Sequence, residues 1–216
     1  MSSSDQQTND VVELWSVPIG GGDSTKLNST FVTGGDVYDA LATADSSRVV
    51  YLADQETNDW EEIFSVPIAG GSATRLNGPL AGRYPYDFAI SPDSSRVVFM
   101  ANLNTTSPNE LFRVPLAGGT VTKVNGALAA GGRVSRYEIA PAGGRVVYIA
   151  DQDTNDVEEL YRAPLASPGP VAKLNGMLAV GADIWEYEIT ADSEYVLYLA
   201  DQTRSDRNDL YRVRLD

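Results

Sequence analysis

Four side chains in the run 151–159 have the types and spacing to hold a hard cation. Asp151, Asp153, Asn155 and Glu159 stand at positions 1, 3, 5 and 9 of that run. Calcium wants several oxygen ligands, and this spacing folds carboxylate and amide oxygens inward with a backbone carbonyl at position 7, here Val157. Loops of this kind usually place Gly at position 6. Asp156 stands there instead, and Asp tolerates the left-handed conformation better than most residues. A second run offers Asp54, Glu56, Asn58 and Glu62, and three more grade away from the pattern: Asp5/Gln7/Asn9/Glu13, Asn102/Asn104/Thr106/Glu110 and Asp201/Thr203/Ser205/Asp209. The expected affinity is of the weak extracellular kind, roughly 10⁻⁴ to 10⁻³ M. The alternative is a solvated hairpin loop in which Thr and Asn fold the turn and the carboxylates face water.

A second set of residues pairs aromatic rings with carboxylates. Tyr38-Asp39, Tyr86-Asp87, Tyr137-Glu138 and Trp185-Glu186 recur at matching places, with Arg136, Tyr187 and Glu188 beside them. A ring face next to a carboxylate could cradle a cation or a sugar. The competing reading makes the rings core and the carboxylates solvating groups.

Composition narrows the rest. There is no cysteine, hence no disulfide and no thiolate metal site. There is no histidine, which removes the commonest general base and every Ser-His-Asp arrangement. No Gly-x-Ser-x-Gly elbow, phosphate loop or dinucleotide loop is present. A glycan-active enzyme working with two carboxylates is the remaining catalytic class. With 30 Asp and Glu in the chain, finding such a pair carries no signal by itself. The net charge of −14 disfavours nucleic acid and anionic membrane surfaces and leaves a cationic partner open. No apolar run approaches the length of a membrane span. The opening MSSSDQQTND lacks the basic and apolar regions of a signal peptide and reads as a mature start or the edge of an excised segment.

The elements that position these residues repeat. Pro18, Pro67, Pro115 and Pro164, with Arg214 in the fifth place, are separated by 49, 48, 49 and 50 residues. Each unit carries four strand signals, A to D. Strand A is expected at 37–42, 86–90, 134–139 and 184–189, and strand B at 48–53, 96–101, 145–150 and 195–200. Strand C is expected at 13–19, 62–68, 110–116, 159–165 and 209–215, and a short strand D at 25–28, 74–77, 122–125 and 172–175. Gly, Pro, Asp and Ser clusters separate them, the pattern of antiparallel all-β structure. Strand B (RVVYLA, RVVFMA, RVVYIA) is apolar on both faces and so must be covered on both. Strand D is short and carries Lys26, Arg75, Lys123 or Lys173, which suits an exposed sheet edge. Four-stranded sheets packed face to face around an axis meet both demands, so the expected fold is an all-β β-propeller with about four blades. The whole of 1–216 reads as one repeat domain: C-D, three full ABCD units, then A-B-C. The first strand D could complete the last sheet. The ring closes alone as four blades or as half of an eight-bladed dimeric ring.

The units resemble the TolB-type (WD40-like, PD40) propeller repeat. Ser91-Pro92-Asp93, Glu159-Leu160-Tyr161 and Gly118-Gly119 carry the resemblance. Ser94 stands where that repeat has Gly after SPD, and Pro92-Asp93 is complete in one unit alone. The resemblance is specific for fold, since such repeats occur in periplasmic scaffold proteins, surface proteins and the accessory domains of peptidases, and it implies a bacterial periplasmic or cell-surface setting. The residues themselves leave the compartment unknown. The expectations are therefore a non-catalytic propeller with a protein or peptide partner, for which the net charge of −14 favours a cationic one, and a homodimer. An isolated or engineered repeat segment is a variant of that reading. A calcium-binding propeller domain and a carboxylate-dependent glycan-active enzyme are the alternatives.

Overall fold

The computed structural model describes residues 2–4, 10–78, 85, 87–102, 108–204 and 207–216. Every regular element among them is a β-strand. The strands are β1 (Ser2–Ser4), β2 (Glu13–Ser16), β3 (Thr25–Lys26), β4 (Val37–Ala42), β5 (Arg48–Ala53), β6 (Glu62–Pro67), β7 (Thr74–Arg75), β8 (Asp87–Ile90) and β9 (Arg96–Ala101). They continue as β10 (Glu110–Pro115), β11 (Thr122–Lys123), β12 (Val134–Ile139), β13 (Arg145–Ala150), β14 (Glu159–Pro164), β15 (Ala172–Lys173), β16 (Ile184–Ile189), β17 (Tyr195–Ala200) and β18 (Asp209–Arg214). Three sheets have four strands in sequence order: β4–β7, β8–β11 and β12–β15. The first sheet is β1-β2-β3 and the fifth is β16-β17-β18. This is the blade architecture of an all-β propeller, as the repeat implied.

Strand B falls where expected in all four units. In the first three it is buried along almost its whole length; in β17 alternate residues are only half-buried. Strand A is likewise as expected, save that Tyr86 lies outside the described residues.

Three expectations need correction. Strand D has two residues in each unit. The Asn that was expected to end it replaces the backbone ladder with its side chain: the N–H groups of Leu14, Ile63, Leu111 and Leu160 donate to Oδ1 of Asn28, Asn77, Asn125 and Asn175 at 2.8, 3.2, 2.8 and 2.8 Å. Each buried donor is thus satisfied with no further strand. Strand β1 was not expected, because three serines carry no strand pattern; it pairs antiparallel with β2, Ser3 opposite Leu14. Finally, β3 is bonded to β2 within the first sheet, and β18 is the edge of the fifth sheet, so the first strand D does not complete the last sheet.

The chain divides into two compact units, Met1–Thr106 with Arg113–Val121 and Ser107–Phe112 with Thr122–Asp216. In the first, Leu14 and Leu27 pack on Val37, Val49, Tyr51, Phe64 and Val66 of the second sheet. In the second, Val147, Ile149, Leu160 and Leu174 pack on Ile184, Tyr187, Val196, Tyr198 and Leu215, with Tyr211 and Val213 at the margin. The same arrangement recurs: one sheet supplies a leucine of strand C and one just after strand D (Leu14 and Leu27, Leu160 and Leu174), and the next sheet answers with aromatics. The B–C aromatic pairs stack at 5.2 Å for Tyr51–Phe64, 5.5 Å for Tyr148–Tyr161 and 5.3 Å for Tyr198–Tyr211. Such a pair adds about 0.5–1.5 kcal/mol beyond its burial.

Candidate functional site

The acidic B–C turns are tied down from within. Asp54 is buried; its Oδ1 accepts from the Asp36 N–H at 2.6 Å and its Oδ2 from the Asp59 N–H at 3.0 Å. Asp151 takes the N–H groups of Arg133 and Asp156 in the same way, and Asp201 that of Asp183. Asp59 and Asp156 sit at φ 62° and 59°, so the left-handed residue of the turn is an Asp, as expected for Asp156. A buried carboxylate is tolerable only with such partners. The residue after each Asp was missed in the sequence. Gln55, Gln152 and Gln202 each accept from the Tyr hydroxyl of strand B (Tyr51, Tyr148, Tyr198) and from a D–A loop N–H (Ser29, Gly126, Gly176). The recurring Asp-Gln dipeptide after strand B was the available signal. In the third sheet Phe99 replaces the Tyr and Asn102-Leu103 the Asp-Gln, so hydroxyl and acceptor are lost together.

The remaining members of the two proposed calcium runs face cations of strand D. Glu159 pairs with Lys173, and Asp153 with the same ammonium at 3.2 Å. Glu62 and Glu56 both meet Arg75, at 3.0 and 2.8 Å, and Glu62 also accepts the Glu56 N–H. Asn155 and Asn58 each donate to the following Asp, Asp156 and Asp59. The charged D strands thus neutralise the Glu residues that open strand C, a role beyond guarding the sheet edge. Among the described residues no group of three or more acidic side chains is arranged to hold a metal ion.

The strand-A aromatics are positioned by a β-bulge. The pairing of A with B skips one residue between Val37 and Asp39, between Val134 and Arg136, and between Ile184 and Glu186. The extra residue is Tyr38, Ser135 or Trp185. A bulge re-aims its extra side chain out of the sheet, and Tyr38 and Trp185 are 51% and 61% exposed. The register also corrects the expected alignment. Asp39, Asp87, Arg136 and Glu186 are equivalent, whereas Tyr137 stands opposite Tyr148 and matches Tyr187, two places further along. Tyr137 and Glu138 are therefore not the counterparts of Tyr38 and Asp39. Tyr187 is buried and donates its hydroxyl to the Val147 carbonyl at 3.1 Å, with the Arg136 guanidinium over its ring at 5.3 Å.

Around each exposed ring lie carboxylates. The Tyr38 phenol is pushed up to about 12 by burial, then by the Asp54, Asp36 and Glu61 charges. Glu61 is itself raised by burial and by Asp54, and Asp87 by burial and by Asp39. In the second unit, Trp185 borders a cleft of about 250 Å³ with Asp156, Glu158, Asp183 and Arg133. Asp183 also accepts the Glu158 N–H at 2.8 Å, which joins the fourth and fifth sheets; Asp36 accepts the Val12 N–H at 2.6 Å in the first unit. The arrangement offers a ring face and negative charge to a cation.

The opposite turns carry the TolB-type signature. Asp45, Asp93 and Asp192 accept from the hydroxyls of Thr43, Ser91 and Thr190. The Ser94 departure has a physical account. Ser46, Ser94 and Ser193 all lie at positive φ (57°, 56°, 59°), where Gly would be easier. The Ser94 hydroxyl accepts the Asp45 N–H at 3.2 Å and that of Ser193 the Ala142 N–H at 2.8 Å, so the side chain links neighbouring sheets.

No protein-family model and no curated protein matches the sequence. Solved structures do match. One is a protein described as TolB from Agrobacterium tumefaciens (13% identity, TM-score 0.54), with 93% of this chain aligned to 68% of that one. A puromycin-hydrolysing peptidase of Mycobacterium tuberculosis aligns at 13% identity and TM-score 0.62 over 97% of this chain and 34% of its own. A protein described as a dipeptidyl aminopeptidase IV from Bacteroides ovatus aligns at 11% identity and TM-score 0.65 over 95% of this chain and 31% of its own. The chain thus spans about two thirds of the TolB and one third of either peptidase. At these identities the likeness is one of fold, and the fold is a β-propeller, as the repeat implied.

Proposed function

We propose that the chain acts as one non-catalytic propeller domain that binds a cationic protein or peptide at the bulge residues of strand A. One observation carries this reading: the bulges present Tyr38 and Trp185, each among carboxylates, on the side of the B–C turns. Ring faces attract Lys and Arg heads, and desolvating carboxylates strengthen the attraction. The net charge of −14 would speed encounter with such a partner. Catalysis is not part of the reading, since the buried carboxylates are occupied by backbone N–H groups and strand-D cations. Calcium is not needed for the same reason. Two chains complete the propeller.

A short Lys/Arg-rich peptide titrated by calorimetry and Trp fluorescence tests the site. The double variant W185A/Y38A is expected to lose at least about tenfold in affinity (roughly 1.4 kcal/mol), and added salt to weaken binding. Asp23→Asn, in the turn between β2 and β3, controls for net charge. Equal affinity in W185A/Y38A and wild type would remove the site.

A further inference from the structure

At each end of the repeat, positions that form sheet-to-sheet contacts elsewhere carry exposed apolar side chains: Leu210 in the fifth sheet, Val17 and Ile19 in the first. Leu210 holds the position that Leu14, Ile63, Leu111 and Leu160 hold in the other sheets; those four are 0–1% exposed and Leu210 is 68% exposed. By register, Leu210 lies opposite Leu199, which lies opposite Glu186; Arg212 lies opposite Leu197, which lies opposite Glu188. A groove of about 310 Å³ runs over this face, bordered by Glu186, Glu188, Leu197, Leu199 and Leu210. The fourth sheet shows what such a face takes: Ile149, Leu160 and Leu174 are covered by Tyr198, Tyr211, Val213 and Leu215. In the first sheet the residues at the places of Val213 and Leu215 are Val17 and Ile19, half and fully exposed, while Trp15, at the place of Tyr211 on the same face, is buried.

We propose that the fifth sheet docks the first sheet of a second copy of this chain, with Leu197, Leu199 and Leu210 of one copy against Val17 and Ile19 of the other. The contact is head to tail, and it continues the interface already repeated inside each unit. The occupant is a second copy because this chain itself carries the matching face. The inference rests on the reading of paired chains above but makes its own claim, about which surfaces meet.

The chain has no cysteine, so single introduced thiols report cleanly. Leu210→Cys and Val17→Cys chains, one lengthened by a tag, are mixed and treated with a short bis-maleimide, and mass is measured by light scattering. The expected result is a cross-linked heterodimer in the mixture, at least tenfold above either variant alone, and its loss when Ile19→Asp is added to the Val17→Cys chain. Cross-linked ladders of many chains would support the surfaces while overturning the two-chain ring, since a head-to-tail contact that fails to close grows. A two-chain mass without the cross-link would leave the pairing and overturn the surfaces. A one-chain mass overturns both, whether or not a double Leu210→Cys/Val17→Cys chain links to itself. Unchanged melting of Leu210→Asp as a single chain shows that loss of the contact is not loss of the fold.

Discussion

The fourth and fifth sheets are built from nearly the same residues, and they differ in what lies against them. Glu159-Leu160-Tyr161-Arg162 and Asp209-Leu210-Tyr211-Arg212 occupy the same strand. Strand β14 is buried along most of its length, whereas β18 alternates half-buried and exposed. Tyr148–Tyr161 and Tyr198–Tyr211 stack alike, at 5.5 and 5.3 Å, so the shared inner face is equally well made. The differences are the covering neighbour and the fourth strand: β15 pairs with β14, whereas β18 is an edge of its sheet among the described residues. A residue's burial in a repeat fold belongs to the pair of repeats and not to the repeat.

The largest effect that could break this comparison is at the matched leucines. Leu160→Ala is expected to cost about 2–5 kcal/mol in urea unfolding, as buried Leu truncations do. Leu210→Ala in the single chain should stay within about 0.5 kcal/mol, the range of exposed sites. Equal costs would mean that the two sheets are covered alike. Next come the buried carboxylates, where the sheets should agree. Asp151→Ala and Asp201→Ala each strand a buried N–H and should each cost about 1–3 kcal/mol. Neither wild-type melting temperature nor these losses should move between calcium and a chelator. A calcium-dependent rise of several degrees would support the cation reading of the 151–159 turn.

A smaller effect separates Gln152 from its missing counterpart in the third sheet. Gln152→Leu should cost about 1–2 kcal/mol, by leaving the Tyr148 hydroxyl and the Gly126 N–H without an acceptor. Adding Tyr148→Phe should recover part of that, since the pair then matches Phe99 and Leu103. A double-mutant cycle measures this coupling, and strict additivity would dissolve the argument.

The smallest effect is a pH dependence. Hydrogen bonds from the Thr43 hydroxyl, then from the Ser47 N–H, lower the Asp45 pKa from 3.8 to about 2. A carboxylate depressed in the folded state stabilises it above the unfolded value and loses that contribution as pH falls from 3.8 toward 2. Asp192 behaves alike, through Thr190, whereas the fourth sheet has Ala140-Pro141-Ala142 there and no such group. Asp87 and Glu138 run the other way: burial raises both, so ionising them on going up in pH opposes folding. Thr43→Val should move Asp45 back toward its ordinary value in an NMR titration.

How much of this was legible follows from what each residue type announces. Strand B announced itself, because RVVYLA and RVVYIA have no polar side to face water, and its bounds were read to the residue. The A–B turns were legible through Ser, Pro and Asp. The bulge was not, since a skipped partner leaves no mark in Val-Tyr-Asp or Ile-Trp-Glu, and so Tyr137 was aligned two places out. The Asp-Gln dipeptide looked like the start of an acidic loop, yet its Asp and Gln point inward at N–H groups. Spacing alone does not reveal that Asp54 and Asp151 each accept two backbone N–H groups. Nor can it tell Leu210 from Leu160, because the difference between them lies in the neighbouring sheet.

The most direct measurement is the solution mass of the wild-type chain beside that of Leu210→Asp, by light scattering in the presence of a chelator. The account predicts a mass of two chains for the wild type and of one for the variant, with the same β-sheet circular dichroism. A one-chain wild type, or a variant that remains paired, would contradict it.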